Sequence, residues 1–558
     1  MAERPVPEVL ATLDLASIAD VGARQAIRAL LTLVEELAAE TRALRAENQQ
    51  LRDELTRLKG GSGRPKLRPG KPAGGNTDYS SEQERRPAPK TWQKRGKQDR
   101  LRIDRTEQVA VDPAVLPADA VFKGYETVVV QDLALRTDTI AFELEVWYSA
   151  VERRSYRARR PAGYAGTFGP HLRALVLTLA YAGGMSEHKI LELVHSTGIV
   201  LSAGTLSNLL TESRAAFTAE ARDVLEAGLA SGPWQHLDDT TTRVNGDGQY
   251  CQILCNPLYT AYQTTAKKDR LTVIDVLRGS RPRAYRFDQE ADRHLEWLGL
   301  SAAAQAKLAA LPREQELDEA MVTAFLAGPA RGLGPKQQHA VREALMLAAY
   351  LADPSWPVVR TLICDDAPQF RAVTEKLALC WIHEGRHYKK LTPYLPQSRA
   401  ALARILAQFW DYYRELLAYR AHPTPADRAR LEAGFDALFG TETGYPALDQ
   451  RLALTRDKKP ELLLVLAHPE LPLHNNPAEL GARQRVRKRD VSFGPRSPAG
   501  RAAWDTFMTL AATTRKLGLD FAAYLRDRFT QAGQIPPLAD LITARAPQLA
   551  LGSSWATR

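Results

Sequence analysis

Acidic residues at three places, taken in order along the chain, most constrain how it can fold. Asp238 and Asp239 lie inside a strand-like run, Asp365 and Asp366 follow the apolar run R-T-L-I-C, and Glu479 lies at the start of a basic helix. Aspartate is disfavoured within strands, so its presence there needs a reason. A carboxylate at the carboxyl end of a strand is well placed for a site in an open α/β sheet.

Three strand-like runs after Gly232 indicate a meander: Trp234–Val244, Gln249–Asn256 and Tyr259–Thr265. Because strand side chains alternate, Asp238 and Asp239 should point to opposite faces, with only one entering a shared cleft. This order is the layout of a ribonuclease H-like fold: an Asp in the first strand of a meander, an Asp at the end of a later strand, and a Glu on a helix.

The three carboxylates predict a metal-dependent phosphodiester chemistry. Hydrolysis or transfer of a phosphodiester uses hard oxygen ligands that hold two Mg²⁺ ions roughly 3.5 to 4 Å apart. We therefore expect Glu479 and one aspartate from each acidic pair, Asp238 or Asp239 and Asp365 or Asp366, to be catalytic and metal-binding, with Mn²⁺ able to replace Mg²⁺. Taken singly, each acidic pair is more simply an ordinary strand-end aspartate.

The helix that carries Glu479 is rich in cations. Asn475 or Asn476 can cap it, and Pro477 suits its first turn. The cations that follow are Arg483, Arg485, Arg487, Lys488 and Arg489. Such a segment is expected to bind a polyanion in a salt-dependent way, although a capped surface helix is the simpler alternative.

Leucines recur at every seventh position of the N-terminal helix: Leu30, Leu37, Leu44, Leu51 and Leu58. With these at d, the a positions are Ile27, Val34, Thr41, Asn48 and Leu55. One a-position Asn and matched g-to-e′ charges favour a parallel dimer. We expect a homodimer through residues 27–58; the alternative is an amphipathic helix folded back on its own protein.

Residues 60–100 contain eleven Lys or Arg against four Asp or Glu, among many Gly and Pro. This composition predicts a basic flexible linker. Residues 101–165 are expected to form a small β-rich domain with strands at Glu126–Leu133 and Thr139–Tyr148.

Residues 166–230 change to helical periodicity and read as three helices, the second opening at Ser186 and the third at Ser202. The spacing is that of a helix-turn-helix, in which Thr205, Ser207 and Asn208 could face a DNA groove. Small helical triads are common, so the pattern leaves DNA contact open.

The formal net charge of +10 agrees with a nucleic-acid partner. Four cysteines in 558 residues cannot form a disulfide framework, which fits a reducing cytoplasm, and no signal peptide or membrane span is visible. Cys380 and His383 have metal-ligand spacing, but without a four-ligand set we expect buried thiols and no zinc. His383, Arg386 and His387 are better candidates for phosphate contacts.

Three motifs resemble those of the DDE transposases of the insertion-sequence-66 family. They are D-D-T at Asp238–Thr240, C-W-I-H-E-G-R-H at Cys380–His387, and H-N-N-P-A-E at His474–Glu479. The resemblance implies an Asp238, Asp365 and Glu479 triad that cuts and joins double-stranded DNA at element ends and target, with accessory proteins of the same element as possible partners. It makes Asp239, Asp366 and His474 neighbours of the site.

The chain departs from the family pattern in three ways. Residues 60–230 contain no cysteine, so the usual zinc-binding segment is excluded. A helical block at about Asp288–Ala352 lengthens the interval between Asp238 and Asp365. His474 replaces the usual Asp, which leaves less negative charge beside Glu479.

The predicted protein is multidomain α/β: a ribonuclease H-like mixed-sheet core with helical insertions, an N-terminal coiled coil, a small β-rich segment and a helix-turn-helix. Its expected parts are 1–59, 60–100, 101–165, 166–230, a catalytic domain at 231–500 with insertions at 288–352 and 395–465, and a C-terminal helical region at 501–558. The function expected is DNA transposition. The alternatives are a ribonuclease H-like nuclease, a dimeric DNA-binding regulator and an inactive transposase relic.

Overall fold

The computed structural model describes residues 18–58 and 102–551, except residues 118, 134, 136, 165, 213, 394 and 550. The basic linker predicted at 60–100 lies outside the described residues, as do the side chains of Leu55 and Leu58. No helix within the described ranges is long and apolar enough to cross a membrane.

The described residues form the strands and helices that follow, in chain order within each class. The strands are β1 (Val146–Ser149), β2 (Arg154–Arg157), β3 (Trp234–Val244), β4 (Asp247–Cys255), β5 (Thr260–Thr265), β6 (Ala284–Arg286), β7 (Glu316–Asp318), β8 (Thr361–Cys364) and β9 (Lys376–Leu379). The helices up to β8 are α1 (Val21–Leu58), α2 (Pro170–Leu177), α3 (Glu187–Ser196), α4 (Ala203–Thr211), α5 (Ala215–Ala230), α6 (Arg270–Leu277), α7 (Gln289–Trp297), α8 (Ala302–Ala306), α9 (Glu319–Ala327) and α10 (Pro335–Ala352). The later helices are α11 (Trp381–Lys389), α12 (Pro396–Ala421), α13 (Pro425–Phe439), α14 (Pro446–Arg456), α15 (Lys459–Leu462), α16 (Asn476–Ser492), α17 (Pro498–Lys516), α18 (Phe521–Thr530) and α19 (Leu538–Arg545).

A five-stranded mixed sheet lies at the centre, in the order β5-β4-β3-β8-β9. The first three strands form the predicted antiparallel meander, and β8 and β9 run parallel to β3. The observed bounds of β3 are those predicted from sequence. Because β3 pairs with β8 only at residues 234–236, the part of β3 that carries Asp238 extends beyond this parallel partner.

The outer edge of β5 is covered by α17 rather than by another strand. Three side chains four residues apart on α17 accept hydrogen bonds from β5: Asp505, Thr509 and Thr513. The donors are the outward N–H groups of Thr264, Tyr262 and Thr260, at 2.8, 3.0 and 3.3 Å respectively. An uncovered edge invites pairing with another chain, so this helix completes the sheet. The described residues of the C-terminal region predicted as a separate part at 501–558 therefore pack into the core.

The described chain contains two large hydrophobic cores. The first surrounds the central sheet and includes buried side chains of the 288–352 segment, such as Leu295 and Leu345. That segment is therefore continuous with the sheet's core and is not a separate insertion domain. The second core lies among α11–α15 and centres on Trp381, Phe409 and Phe435. The segment predicted as an insertion at 395–465 thus has a core of its own.

Helix α1 leaves most of its apolar stripe in solvent. The d-position side chains of Leu30, Leu37, Leu44 and Leu51 are all exposed. One turn packs back on the protein, because Leu31 is buried against Leu395. The described residues therefore bury only a short part of this helix.

The expected β-rich domain is reduced to one hairpin. Strands β1 and β2 pair antiparallel, whereas Glu126–Leu133 has no regular structure, so the strand predicted there is wrong. Val128 and Val130 are exposed. A strand needs a partner to satisfy its backbone groups, and alternating apolar residues alone do not supply one.

The helices predicted to open at Ser186 and Ser202 are present as α3 and α4. Each serine hydroxyl accepts a backbone N–H of the first turn, from Lys189 and Thr205 respectively. Gly198 has φ +84° in the connecting turn, a conformation that favours glycine.

Candidate active site

One pocket lies where β3 and the residues after β8 meet the first turns of α16. Its polar lining consists of Asp238, Asp239, Thr240, Asp365, His383, Arg386, Asn475, Glu479 and Arg483. The fold thus brings together the three carboxylates singled out from sequence, although they come from a strand, a strand end and a helix far apart in the chain.

The carboxylates in this pocket repel one another. Burial and, to a smaller extent, the negative charges of Asp365 and Glu479 together raise the pKa of Asp238 to about 7. Burial also raises the pKa of Asp365, while His383 opposes that shift. A carboxylate with a raised pKa is destabilised in its ionised form, so this pocket favours a cation.

Glu479 is held by arginine. Arg386 donates two hydrogen bonds to it, from Nη1 to Oε1 at 3.2 Å and from Nη2 to Oε2 at 2.9 Å. Arg483, one turn further along α16, lies 4.0 Å from Oε2. Paired hydrogen bonds of this kind fix the plane of a carboxylate, so the side chain of Glu479 has a defined orientation in this state.

The donor set of the pocket fits a hard divalent cation. Among the described residues, no group of three His, Cys, Asp or Glu side chains is arranged to hold one metal ion. In the pocket, both oxygens of Glu479 are bound to Arg386. Asp238, Asp365 and Glu479 nevertheless offer only carboxylate oxygens, the ligands that Mg²⁺ prefers. A divalent cation would also offset the repulsion that raises the pKa of Asp238.

A buried histidine and asparagine tie the start of α16 to β3. Asn475 Oδ1 lies 3.0 Å from His236 Nδ1, and Asn475 Nδ2 donates to the carbonyl of Leu237 at 2.8 Å. Burial lowers the pKa of His236 to about 3, so the ring is neutral and Nδ1 donates to the amide oxygen. Asn475 is the N-cap residue by position, but its side chain does not cap the helix as predicted.

Both aspartates of the first acidic pair line the pocket, contrary to the prediction from strand alternation. Asp239 accepts hydrogen bonds from Lys268 at 3.3 Å and from Gln369 at 3.0 Å. Beyond His236 no strand pairs with this side of β3, so Asp239 can reach the 368–370 turn.

Asp366 lies outside the pocket lining. It forms ion pairs with Arg371 and Lys458, which hold its pKa below the usual range despite burial. Lys458 also donates to Glu384 on α11 at 3.2 Å. Asp366 therefore links the sheet to the second core through Lys458.

The described contacts divide the predicted DNA-binding cations of α16 into two groups. Arg483 and Arg487 are exposed, and Arg489 is half-buried against the carbonyl of Thr241. Arg485 and Lys488 are buried, so their prediction as DNA contacts is wrong for this conformation.

Arg485 and Lys488 have partners inside the protein. Arg485 donates to Thr264 at 2.7 Å and pairs with Asp505 at 3.2 Å. Lys488 donates to the carbonyl of Ala180 at 2.6 Å. Both cations lie 4.8 Å from the ring of Trp504, so they stabilise the packing of α16 on α17.

The remaining predicted positions differ in exposure. His383 lies in the pocket beside Asp365, whereas burial lowers the pKa of His387 to about 4 and leaves that ring neutral. His474 lies near His236 and outside the pocket lining, and Asn476 is buried. In α4 the helix-turn-helix candidates are Thr205 and Ser207, which are half-buried, and Asn208, which is exposed.

The four cysteines of the chain are all buried free thiols. Sequence reasoning missed His236, which no short motif marks. Its only signal in the sequence is its position two residues before Asp238 on a strand, which places both side chains on the same face.

The chain is similar to known proteins across this region. Residues 165–285 match the family described as Transposase IS66 family. The uncharacterized protein y4jO of Sinorhizobium fredii (strain NBRC 101917 / NGR234) is 35% identical to it over 333 residues, which are 58% of this chain and 100% of that protein. The match covers the segment in which β3, and with it Asp238, lies. This chain therefore belongs to the IS66 transposase family.

Proposed function

We propose that this protein is a metal-dependent DNA transposase with a ribonuclease H-like core, in which Asp238, Asp365 and Glu479 form the catalytic centre. The observation that carries the proposal is their convergence in one pocket, where burial, together with the negative charges of Asp365 and Glu479, raises the pKa of Asp238 to about 7. The strand order β5-β4-β3-β8-β9, with an antiparallel meander followed by two parallel strands, supports the ribonuclease H-like assignment.

Each residue of the pocket has a separate task in this proposal. Asp238, Asp365 and Glu479 would hold two Mg²⁺ ions, which when bound activate the attacking hydroxyl and stabilise the leaving oxygen. Asn475 keeps Glu479 beside Asp238 by fixing the start of α16 on β3. Arg386 orients Glu479 before DNA arrives and lies close enough to bind a phosphate oxygen afterwards.

DNA would enter along the exposed face of α16. Arg483 and Arg487 lie about one and two helical turns beyond Glu479 and present their charge to solvent. They supply phosphate contacts that position the strand without reading its sequence. Asn208 and the partly exposed Thr205 of α4 are the corresponding candidates for duplex recognition by the helix-turn-helix.

A homodimer would bring two such sites together. The exposed d-position stripe of α1, from Leu30 to Leu51, is long enough for three heptads of coiled coil. The single turn that Leu31 packs on Leu395 leaves this stripe available to a second copy. Sedimentation of the full-length protein with Leu37→Lys and Leu44→Lys should then yield a monomer.

The decisive experiment combines purified protein, Mg²⁺ or Mn²⁺, and labelled DNA that carries the ends flanking its own gene. Glu479→Gln should abolish cleavage and strand joining while DNA binding persists, because the amide keeps the shape of the side chain but removes a charged ligand. Arg428→Gln, on the exposed surface of α13, is the control and should react like the native protein.

The same experiment separates the alternatives. Cleavage without strand joining would identify a nuclease. DNA binding without cleavage by the native protein, under either metal and with accessory proteins supplied, would favour a DNA-binding regulator or an inactive relic and would refute the proposal.

A further inference from the structure

The hairpin of β1 and β2 concentrates arginines that have no acidic partner. Within seven residues it places Arg153, Arg154, Arg157 and Arg159, all exposed. Among the residues that the structure describes, none of the four forms an ion pair with a carboxylate, whereas exposed arginines elsewhere commonly do. Examples of paired arginines are Arg293, Arg414, Arg428 and Arg430. The hairpin surface therefore carries an excess of positive charge, since residues 145–160 contain five arginines and two glutamates.

The strand pairing distributes this charge over both faces of the hairpin. Trp147 lies opposite Tyr156, and Val146 lies opposite Arg157. Because side chains alternate, Arg154 shares a face with Trp147 and Tyr156, and Arg157 points to the other face. Arg153 lies in the connecting turn. The result is a narrow two-stranded ribbon with cations on both faces and at its tip.

The turn geometry gives no reason for an arginine at its tip. Arg153 has φ +50°, in the left-handed region where glycine is preferred. Glu152, the acidic residue of the turn, accepts the hydroxyl of Tyr156 instead of pairing with an arginine. The cation at position 153 therefore occupies a costly backbone conformation without an intramolecular electrostatic gain.

We propose that the β1–β2 hairpin is a duplex-DNA-binding ribbon that enters the major groove and contacts phosphates on both walls through Arg153, Arg154, Arg157 and Arg159. Two paired strands lie about 4.8 Å apart. The major groove, about 12 Å wide, admits such a ribbon. The proposal rests on the proposed function only in taking DNA as the polyanion that the protein binds.

The segment that precedes the hairpin contacts the helix-turn-helix unit, which is the other candidate duplex contact. The hydroxyl of Thr137 donates to the carbonyl of Thr197, in the turn between α3 and α4. Phe142 packs edge-on against Tyr164, with ring centroids 5.0 Å apart, just before α2. The segment that leads into β1 is thus attached to the helix-turn-helix unit, so one duplex can contact both.

The test is DNA binding by the full-length protein in EDTA, where no cleavage is needed. Fluorescence anisotropy with a labelled duplex of about two helical turns would be measured over roughly 50 to 300 mM NaCl, because each phosphate contact contributes about 0.9 to the slope of log K against log salt. The test variant replaces Arg153, Arg154, Arg157 and Arg159 by Gln. The charge-matched control replaces Arg293, Arg414, Arg428 and Arg430 by Gln.

We expect the hairpin variant to lose roughly 2 to 4 units of salt slope, and to bind on the order of tenfold or more weakly near 0.1 M salt. The control should bind within about twofold of the native protein. Arg153→Gly, which relieves the turn, should lose about one unit of slope without a lower Tm, so a folding defect cannot account for the loss.

Equal slopes for the hairpin variant and its control would overturn the proposal. So would a loss restricted to single-stranded DNA, or a loss of binding to phosphatidylserine vesicles with duplex binding intact. Failure of the catalytic proposal has a different signature: the hairpin effect would persist while native protein with Mg²⁺ cuts no DNA.

Discussion

Replacing Arg485 by methionine should destabilise the fold without weakening DNA binding by the folded protein. The guanidinium is 0% exposed, hydrogen-bonded to Thr264 and paired with Asp505. Asp505 is half-buried, and burial raises its pKa while Arg485 opposes the shift. The substitution leaves the carboxylate of Asp505 in the core without its cation.

Breaking a buried ion pair by removing one partner costs about 3 to 5 kcal/mol. From the entropy of unfolding per residue, that loss spread over residues 170–551 corresponds to a fall in Tm of roughly 4 to 6 °C. The double variant Arg485→Met with Asp505→Asn removes both charges and keeps an acceptor for the N–H of Thr264. It should recover most of the loss, which a double-mutant cycle by calorimetry would quantify.

Arg487→Met is the matched control, two residues along the same helix but exposed. It should change stability by less than about 0.5 kcal/mol and reduce the salt slope of DNA binding by about one unit. The opposite pattern would refute the reasoning: an unchanged Tm for Arg485→Met together with tenfold weaker DNA binding would mean that Arg485 leaves the core to contact DNA.

Three further outcomes follow from the pocket. Because the pKa of Asp238 is raised in the fold, its contribution to stability is fully present below the unfolded pKa of about 3.9 and is lost as the pH rises through about 7. In EDTA, Asp238→Asn should therefore flatten the fall in Tm between these pH values. A pH profile of Tm identical to that of the native protein would contradict this prediction. A Cβ on Gly481 would lie 2.7 Å from Ile253 Cγ2, so Gly481→Ala should cost about 1 to 3 kcal/mol in urea unfolding and slow cleavage by shifting α16; native stability would refute the tight fit. Arg386→Gln frees the oxygens of Glu479, so calorimetry should detect tighter Mn²⁺ binding to DNA-free protein, and weaker binding would indicate that Arg386 organises the metal ligands.

The parts of the fold that were predictable have local causes. The extent of β3 follows from a local strand-like run rich in β-branched residues, and the starts of α3 and α4 follow from serine caps that act within one turn. The convergence of Asp238, Asp365 and Glu479 also followed from sequence, because strand order and the position of a residue at a strand end restrict where side chains can meet.

The missed features depend on partners far away in the chain. His236 and Asn475 are 239 residues apart, so no window of sequence links them. The apolar alternation of Glu126–Leu133 is a local pattern, but a strand exists only where another strand accepts its hydrogen bonds. At the edge of β5 the partner is a helix: side chains of α17 accept the hydrogen bonds of the strand, and nothing in the sequence indicated this contact.

Helical phase explains why α16 can carry both the carboxylate proposed to be catalytic and a structural cation. Glu479, Arg483 and Arg487 recur at intervals of four residues and share one face. At about 100° per residue, Arg485 lies roughly 200° from Arg483, on the side that packs on α17. The number of cations in a helix therefore overstates its DNA contacts, and the phase relative to Glu479 indicates which ones face the substrate. On this reasoning, Arg483→Gln and Arg487→Gln together should account for most of the salt dependence that α16 contributes, while Lys488, which faces Trp504, should contribute none.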